Sequence, residues 1–373
     1  MTAIAILAYD SSARASASNY TNMRPSWLPS HAHNATVSDT PHRRHRDTSS
    51  MKKASIGILD LGECFPGQTP AEACHDTIKL AIEADRLGFA RYWLAEHQTR
   101  GCAWGSPELL VATIAALTSR IRVGPGGLLL RIHNPLRIAA DFSLLEHLYP
   151  DRIDLGLARG CPVLNGPALL DGRVPECYGQ EQAIAMGHQK DSENRKLSED
   201  LYTRKVNDLL LYLTRGLPEG HPYFGSRPVP LPPPFPPQVW VHGGERSMKI
   251  AAQFGLGYGY PVFHPTTTDI GVLTRYQEEF QYNTGPQHVV LAVAGYCGES
   301  ELEVSTVIKS YRSFFKPTFF GTPSQCQEQF EELSEQTNVS SLVFLDISRS
   351  FEQRRRCYRL LSEAFRLTDT VST

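Results

Sequence analysis

The sequence lacks the features that mark several common protein classes. Its 373 residues include eight cysteines, but it has no Cys-x-x-Cys pair and no Cys/His spacing typical of a zinc site. No apolar run approaches the roughly 18 residues that suggest a membrane span. Lysine and arginine number 37 against 39 aspartate and glutamate, a formal charge of −2 that gives no overall attraction for nucleic acid or an anionic membrane. We therefore expect a cytoplasmic protein with no structural metal, nucleic acid or membrane partner.

The first 50 residues differ in composition from the rest of the chain. They are rich in Ser, Thr, Asn, His and Arg, and only Asp10, Asp39 and Asp47 are acidic. A segment with so few periodic apolar positions cannot bury enough surface to offset its ordering entropy, so residues 1–50 are predicted to be a disordered extension, with Met51 as the natural start. An organelle-targeting leader is the alternative.

From residue 55 onward, short apolar strands alternate with amphipathic helices, a pattern typical of a parallel sheet. Eight such strands predict an α/β fold, one (β/α)8 TIM barrel over residues 51–373, although the length alone suggested two or three domains. The predicted strands are 55–61, 91–95, one starting at 121–123, 153–157, 239–241, 258–260, 289–296 and 341–346. The predicted helices are 70–87, 107–118, 135–148, 199–213, 246–254, 271–280, 301–314, 324–336 and 352–365.

Two segments interrupt the alternation. Residues 160–198 form a polar insertion after the fourth strand, far longer than the usual connection of about 2–6 residues, and are predicted to be a lid. Residues 228–237 are dense in proline and are predicted to be a stiff connector.

Chemically active residues recur just after the strands, where barrel enzymes place their active sites. Glu96 and His97 follow the second strand, and Gly126 and Gly127 follow the third. Glu96 suits either a structural anchor or a catalytic carboxylate, and His97 suits proton transfer near neutral pH. The two glycines indicate either a turn or a close approach of a flat ring to the backbone.

A second group of residues indicates a phosphate site. The fifth strand ends in His242, Gly243 and Gly244 immediately before a helix, and the N-terminus of a helix favours anions. Ser247 adds a hydroxyl or caps that helix, and Arg159, after the fourth strand, could bind the same phosphate through its guanidinium. By themselves these residues predict a phosphorylated ligand and no specific reaction.

Three strings occurring in order resemble the bacterial luciferase-like flavin monooxygenases. They are LGFARYWLAEH at 87–97, TSRIRVG at 118–124 and RIDLGLARG at 152–160. The resemblance runs from about residue 55 to 160 and resumes over 239–346. It implies a TIM barrel that uses reduced FMN and molecular oxygen, with a separate NAD(P)H-dependent flavin reductase supplying the reduced cofactor.

The resemblance also implies roles for individual residues. His97 matches a histidine implicated in acid–base chemistry, and Glu96 matches the carboxylate before it. Gly126 and Gly127 fall where relatives have a cis peptide beside the flavin ring. Arg159, Gly243, Gly244 and Ser247 fall on the region that binds the FMN phosphate.

Three departures from bacterial luciferase itself argue against light emission. Gln98 and Asn134 stand where luciferase has histidines, and Ala158 stands where it has a cysteine. The resemblance therefore predicts a monooxygenase that transfers one oxygen atom to a small organic substrate, with homo- or heterodimer formation as a further expectation. A deazaflavin-dependent dehydrogenase or reductase, a non-catalytic flavin-binding barrel and a phosphosugar enzyme remain the alternatives.

Overall fold

A computed structural model shows a parallel β-barrel surrounded by helices. The structure describes residues 54–98, 101–159, 192–265, 267, 269–282, 287–313 and 315–370. All strand pairs are parallel, in the order β3-β2-β1-β9-β8-β7-β6-β5-β4. The strands are β1 (Ser55–Asp60), β2 (Arg91–Leu94), β3 (Arg122–Pro125), β4 (Leu128–Leu129), β5 (Asp154–Ala158), β6 (Gln238–His242), β7 (Gly257–Pro261), β8 (Val289–Gly295) and β9 (Ser341–Asp346).

The predicted third strand is divided into two. β3 pairs with β2, whereas β4 pairs with β5, and the cis peptide bond between Gly126 and Gly127 separates the two segments. A single bridge between Val123 and Ile153 joins β3 directly to β5, so the two segments together occupy one position in the barrel. The TIM-barrel prediction is therefore confirmed, with eight strand positions filled by nine segments.

The helices follow the predicted order with small shifts at their ends. They are α1 (Pro70–Arg86), α2 (Pro107–Leu117), α3 (Pro135–Leu148), α4 (Ser192–Leu213), α5 (Glu245–Phe254), α6 (Gly271–Glu279), α7 (Glu301–Ser310), α8 (Pro323–Thr337) and α9 (Phe351–Ala364). Four of them begin at a proline, whose missing N–H costs nothing in the first helical turn. Gly255 ends α5 in the left-handed conformation, at φ +68°.

Part of the barrel interior is polar. The carboxylate of Asp154, which is fully buried at the start of β5, accepts hydrogen bonds from Arg122 Nε at 2.8 Å and Trp93 Nε1 at 2.8 Å. Arg91 Nη1 lies 3.2 Å from the same carboxylate, and its guanidinium stacks on Trp93 and Trp240. This network lies toward the N-terminal ends of the strands, the end of a TIM barrel associated with stability.

Predictions about the remaining segments have mixed outcomes. Residues 1–50 and most of the predicted lid, 160–191, lie outside the described residues. The start of the helix predicted at residue 199 was wrong, because α4 already begins at Ser192. Residues 228–237 contain no helix or strand and include a cis Val229–Pro230 bond. Among the described helices, none combines the length and apolarity that a membrane crossing requires.

Candidate active site

The predicted site residues lie at the C-terminal ends of consecutive strand positions. Glu96 and His97 follow β2, Gly126 and Gly127 join β3 to β4, Arg159 follows β5, and Gly243 and Gly244 follow β6. At about 4.8 Å between neighbouring strands, these positions span an arc of roughly 15 Å. The structure therefore brings the two predicted groups to one edge of the barrel, as parallel strands require. Their roles in binding and catalysis stay predictions.

Glu96 is an anchored carboxylate at one end of this arc. Its side chain is fully buried, and Oε2 accepts a hydrogen bond from the Leu129 N–H at 2.7 Å. Oε1 accepts one from Gln98 Nε2 at 2.9 Å. Gln98 also donates to the Gly105 carbonyl at 2.7 Å, so this departure from luciferase ties Glu96 to the next loop.

His133 is a functional candidate that sequence reasoning missed. Its Nε2 lies 2.8 Å from Glu96 Oε2 and 3.0 Å from Oε1, with the imidazole 21% exposed. The sequence contains one signal for it, because His133 immediately precedes Asn134, the position at which luciferase has a histidine. Asn134 instead caps α3, because its side chain accepts a hydrogen bond from the Leu136 N–H.

His97 is held more loosely than His133. It is partly exposed, and Nδ1 lies 3.4 Å from the Leu61 carbonyl oxygen, a long distance for a hydrogen bond. Among the described residues, no short hydrogen bond therefore fixes the orientation of the imidazole. This is compatible with the acid–base role that the resemblance implies.

The residues between the two ends of the arc are small. Ala95 and Ala158 continue β2 and β5 toward the mouth, and Gly126 and Gly127 lie between them. Packing leaves no room for a side chain at either glycine. A Cβ at Gly126 would lie 2.8 Å from Trp93 Cβ, and one at Gly127 would lie 2.7 Å from the Gly156 backbone. Both positions therefore require glycine, because the barrel itself fills the space that a side chain would occupy.

The other end of the arc has the features of an anion site. Leu157 pairs with Val241, so Arg159 and Gly243 extend from neighbouring positions of β5 and β6. Gly244 is the N-cap of α5, and as a glycine it has no side chain that could cap the helix. Ser247 is buried one turn into α5 and does not serve as the cap, which excludes one of the two roles predicted for it.

The described part of the chain offers no competing metal or disulfide chemistry. No group of three or more His, Cys, Asp or Glu side chains within it could hold a metal ion. None of the six cysteines in the described ranges forms a disulfide, and burial raises the pKa of the Cys357 thiol.

Comparison with known proteins places this site in a family context. The family model for luciferase-like monooxygenases matches residues 54–164. The Bacillus subtilis protein YceB is 35% identical over 61% of this chain and 62% of its own length, which is less than two thirds. Another B. subtilis protein, YddN, is 31% identical over 70% of this chain and 71% of its length. A luciferase-like monooxygenase of Escherichia coli is 28% identical over 79% of this chain and 84% of its own.

Solved structures extend the likeness to the whole barrel. The crystal structure of apo-MsnO8 has a TM-score of 0.68 and 28% identity, and the match covers 84% of this chain and 99% of that one. Two more distant structures share the fold alone: an FMN complex of the oxygenating constituent of 3,6-diketocamphane monooxygenase, and an F420-dependent secondary alcohol dehydrogenase, each with a TM-score of 0.60. The family motifs, the relatives and the barrel agree, and the chain belongs to the luciferase-like monooxygenase family of flavin-dependent enzymes.

Proposed function

We propose that this protein is an FMN-dependent monooxygenase that transfers one atom of molecular oxygen to a small organic substrate. The observation that carries the proposal is the single arc at the mouth of the barrel. It joins an acid–base region around Glu96 and His97 to the anion site around Arg159 and Gly244, with Gly126 and Gly127 between them.

The residues present fit FMN. Its phosphate would be held by Arg159 and by the N-terminus of α5, whose dipole favours an anion. At Gly244, a Cβ would have only Thr267 Cγ2 within 4 Å, at 3.6 Å, so there is little steric hindrance beside the phosphate position. Its ring would lie beside Gly126 and Gly127, as the resemblance to the family implies.

When bound, reduced FMN would supply the electrons that activate molecular oxygen. The chain's own residues then have three tasks. Arg159 and the α5 N-terminus bind and orient the cofactor, and the buried Glu96 carboxylate fixes the backbone at Leu129 beside it. His97 holds or moves a proton at its imidazole nitrogens, a role that general acid–base catalysis commonly gives to histidine. Glu96 thus supports catalysis by holding groups in place.

A deazaflavin-dependent dehydrogenase or reductase is the second candidate. The observation in its favour is that the F420-dependent alcohol dehydrogenase shares this fold. An anion site at Arg159 and the N-terminus of α5 would serve either cofactor. Equilibrium binding of FMN and of F420 to the same preparation separates the two, because the preferred cofactor should bind the more tightly.

The reaction requires partners. We propose that a separate NAD(P)H-dependent flavin reductase supplies reduced FMN, that the reaction takes place in the cytoplasm, and that oxygen and a small organic molecule are the co-substrates. Pairing of two barrels as a homo- or heterodimer stays a prediction.

Two measurements test the proposal. Replacement of Arg159 by Met should weaken FMN binding by about 10- to 100-fold, since a charged hydrogen bond contributes about 1.5–3 kcal/mol. Arg137→Met is the matched control, because Arg137 is exposed on α3 and pairs only with Asp141 in the described structure. Equal affinities of the two variants would contradict the assignment of the phosphate site.

The second measurement is oxygen consumption with reduced FMN, a flavin reductase and a panel of substrates. Substrate-dependent consumption that falls in His97→Ala supports a monooxygenase. Absence of consumption across the panel, with tight FMN binding, would favour a non-catalytic flavin-binding barrel.

A further inference from the structure

We propose that Glu96 and His133 form a second acid–base unit, in which His133 donates a proton to the oxygen that the reduced cofactor reduces, both when that oxygen leaves as water and when it leaves as hydrogen peroxide. The inference rests on the monooxygenase proposed above and adds to it a residue distinct from His97. The two electrons come from the reduced cofactor. With a substrate, one oxygen atom goes to the substrate and the other takes up two protons and leaves as water. Without a substrate, both oxygen atoms leave together as hydrogen peroxide after taking up the same two electrons and two protons. His133 regains its proton from solvent.

The geometry of the pair is that of a carboxylate orienting an imidazole. His133 Nε2 lies within 3.0 Å of both carboxylate oxygens of Glu96. The Leu129 N–H at 2.7 Å and the Gln98 amide at 2.9 Å occupy further acceptor positions of the same carboxylate. Glu96 therefore cannot rotate, and it holds the imidazole ring in one plane.

The hydrogen bonds also determine which imidazole nitrogen is available. The Leu129 N–H and the Gln98 amide both donate to Glu96, and an ionised carboxylate only accepts hydrogen bonds. Nε2 of His133 must then carry the hydrogen, so Nδ1 is the atom left to exchange a proton. No described group forms a hydrogen bond with Nδ1, and the side chain is exposed enough to exchange protons with solvent.

The backbone of His133 is fixed as firmly as its ring. Its N–H donates to the Leu130 carbonyl at 3.3 Å, and its carbonyl accepts from Lys205 Nζ at 3.0 Å. Lys205 is buried on α4 and also donates to the Arg131 carbonyl at 2.6 Å. Lys205 therefore holds the loop between β4 and α3 at two carbonyls, which restricts movement of the His133 backbone.

Charged and titratable groups approach His133 from each neighbouring element. Glu96 follows β2, Glu108 lies at the start of α2, Lys205 lies on α4, and Arg131 precedes His133 in its own loop. Burial raises the pKa of Glu108, and the positive charge of a protonated His133 partly opposes this increase. The pH profile of the reaction will therefore reflect Glu108 as well as His133, and a variant of His133 is needed to separate them.

The decisive variant is His133→Gln. Its amide N–H can still donate to Glu96, so the structural bond is kept while the titratable group is lost. His75→Gln is the control, because His75 is an exposed residue of α1 and does not belong to the loops that form the arc. Reduced FMN bound to each protein is mixed with oxygen over a range of pH, and the reaction is followed by stopped-flow absorbance. Hydrogen peroxide release is measured in parallel, and no substrate is needed.

We expect His133→Gln to slow the proton-dependent release of hydrogen peroxide by about 100-fold, which is at the low end of the usual contribution of an acid–base group. The same variant should remove one ionisation from the pH profile of that rate. His75→Gln should match the unmodified protein. If His133→Gln keeps both the rate and the pH profile, the Glu96–His133 bond is only structural and the inference is wrong. If the unmodified protein itself does not react, the proposed monooxygenase function fails, and this role of His133 fails with it.

A measurement without cofactor tests the pair directly. Nitrogen-15 NMR of the labelled protein should show His133 with its hydrogen on Nε2, and Glu96→Leu, which offers no acceptor, should abolish that preference. An equal mixture of tautomers in the unmodified protein would overturn the proposed orientation of the imidazole, whatever the activity measurements show.

Discussion

The packing of His242 inside the barrel depends on a glycine of the adjacent strand. A Cβ at Gly259 would lie 2.1 Å from His242 Nδ1, which is 1.3 Å inside the 3.4 Å at which ordinary contact begins. Gly259→Ala should therefore force the imidazole away from its edge-on contact with Trp93, whose ring centre lies 4.8 Å from that of His242. Overpacking of this kind typically costs about 1–3 kcal/mol of unfolding free energy.

A double-mutant cycle isolates this steric conflict. If the cost of Gly259→Ala arises from the imidazole, the same substitution in a His242→Ala background should change stability by less than about 0.5 kcal/mol, giving a coupling energy of about 1–3 kcal/mol. Stability is measured by urea denaturation, followed by far-ultraviolet circular dichroism and tryptophan fluorescence.

Gly156→Ala provides the matched contrast. Its Cβ would lie 2.5 Å from His242 Nε2, but also 2.2 Å from the Pro125 carbonyl oxygen, which belongs to the backbone and remains in every variant. Removal of the imidazole should therefore rescue Gly259→Ala and leave Gly156→Ala destabilised. A cost of Gly259→Ala that is equally large with and without the imidazole would refute the reasoning.

Three further predictions concern buried polar groups. Burial lowers the pKa of His242 to about 4, so the neutral imidazole contributes to folding stability above pH 6.5, and this contribution is lost as the pH falls toward 4. The unfolding midpoint of His242→Leu, measured between pH 7 and 4, should lack this loss. Burial raises the pKa of Asp346 despite the nearby Arg354, so the neutral carboxyl contributes to folding stability below pH 3.8, and this contribution is lost as the pH rises. Asp346→Asn should therefore gain stability relative to the unmodified protein as the pH is raised from 3.5 to 7. The Tyr202 hydroxyl is buried without a hydrogen-bond partner among the described residues, so Tyr202→Phe should leave the melting temperature unchanged or raise it, and a clear decrease would reveal a partner.

Local sequence signals predicted the secondary structure well where they act within a few residues. Pro70 and Pro135 begin α1 and α3 as predicted, and Gly255 ends α5 in the left-handed conformation that glycine favours. The start of α4 was missed because the polar residues before 199 have no apolar period, although the backbone there is helical.

The division of the third strand could not be predicted from the same signals. Gly126 and Gly127 resemble an ordinary turn in sequence, and the resemblance to a flavin family suggested a cis peptide only by analogy. The division follows from the closure of the barrel, because β3 must pair with β2 on one side and β4 with β5 on the other.

The sequence by itself determined the order of the elements and the level of the site, since hydrophobic periodicity and parallel strands place post-strand residues at one edge. Which of those residues contact one another was decided only by the tertiary structure. Glu96 and His133 are 37 positions apart, and their hydrogen bond depends on the relative placement of two strand ends. Asp154 likewise receives its partners from β2 and β3. Such pairings leave no local pattern, because barrel closure rather than chain proximity brings their atoms within hydrogen-bond distance.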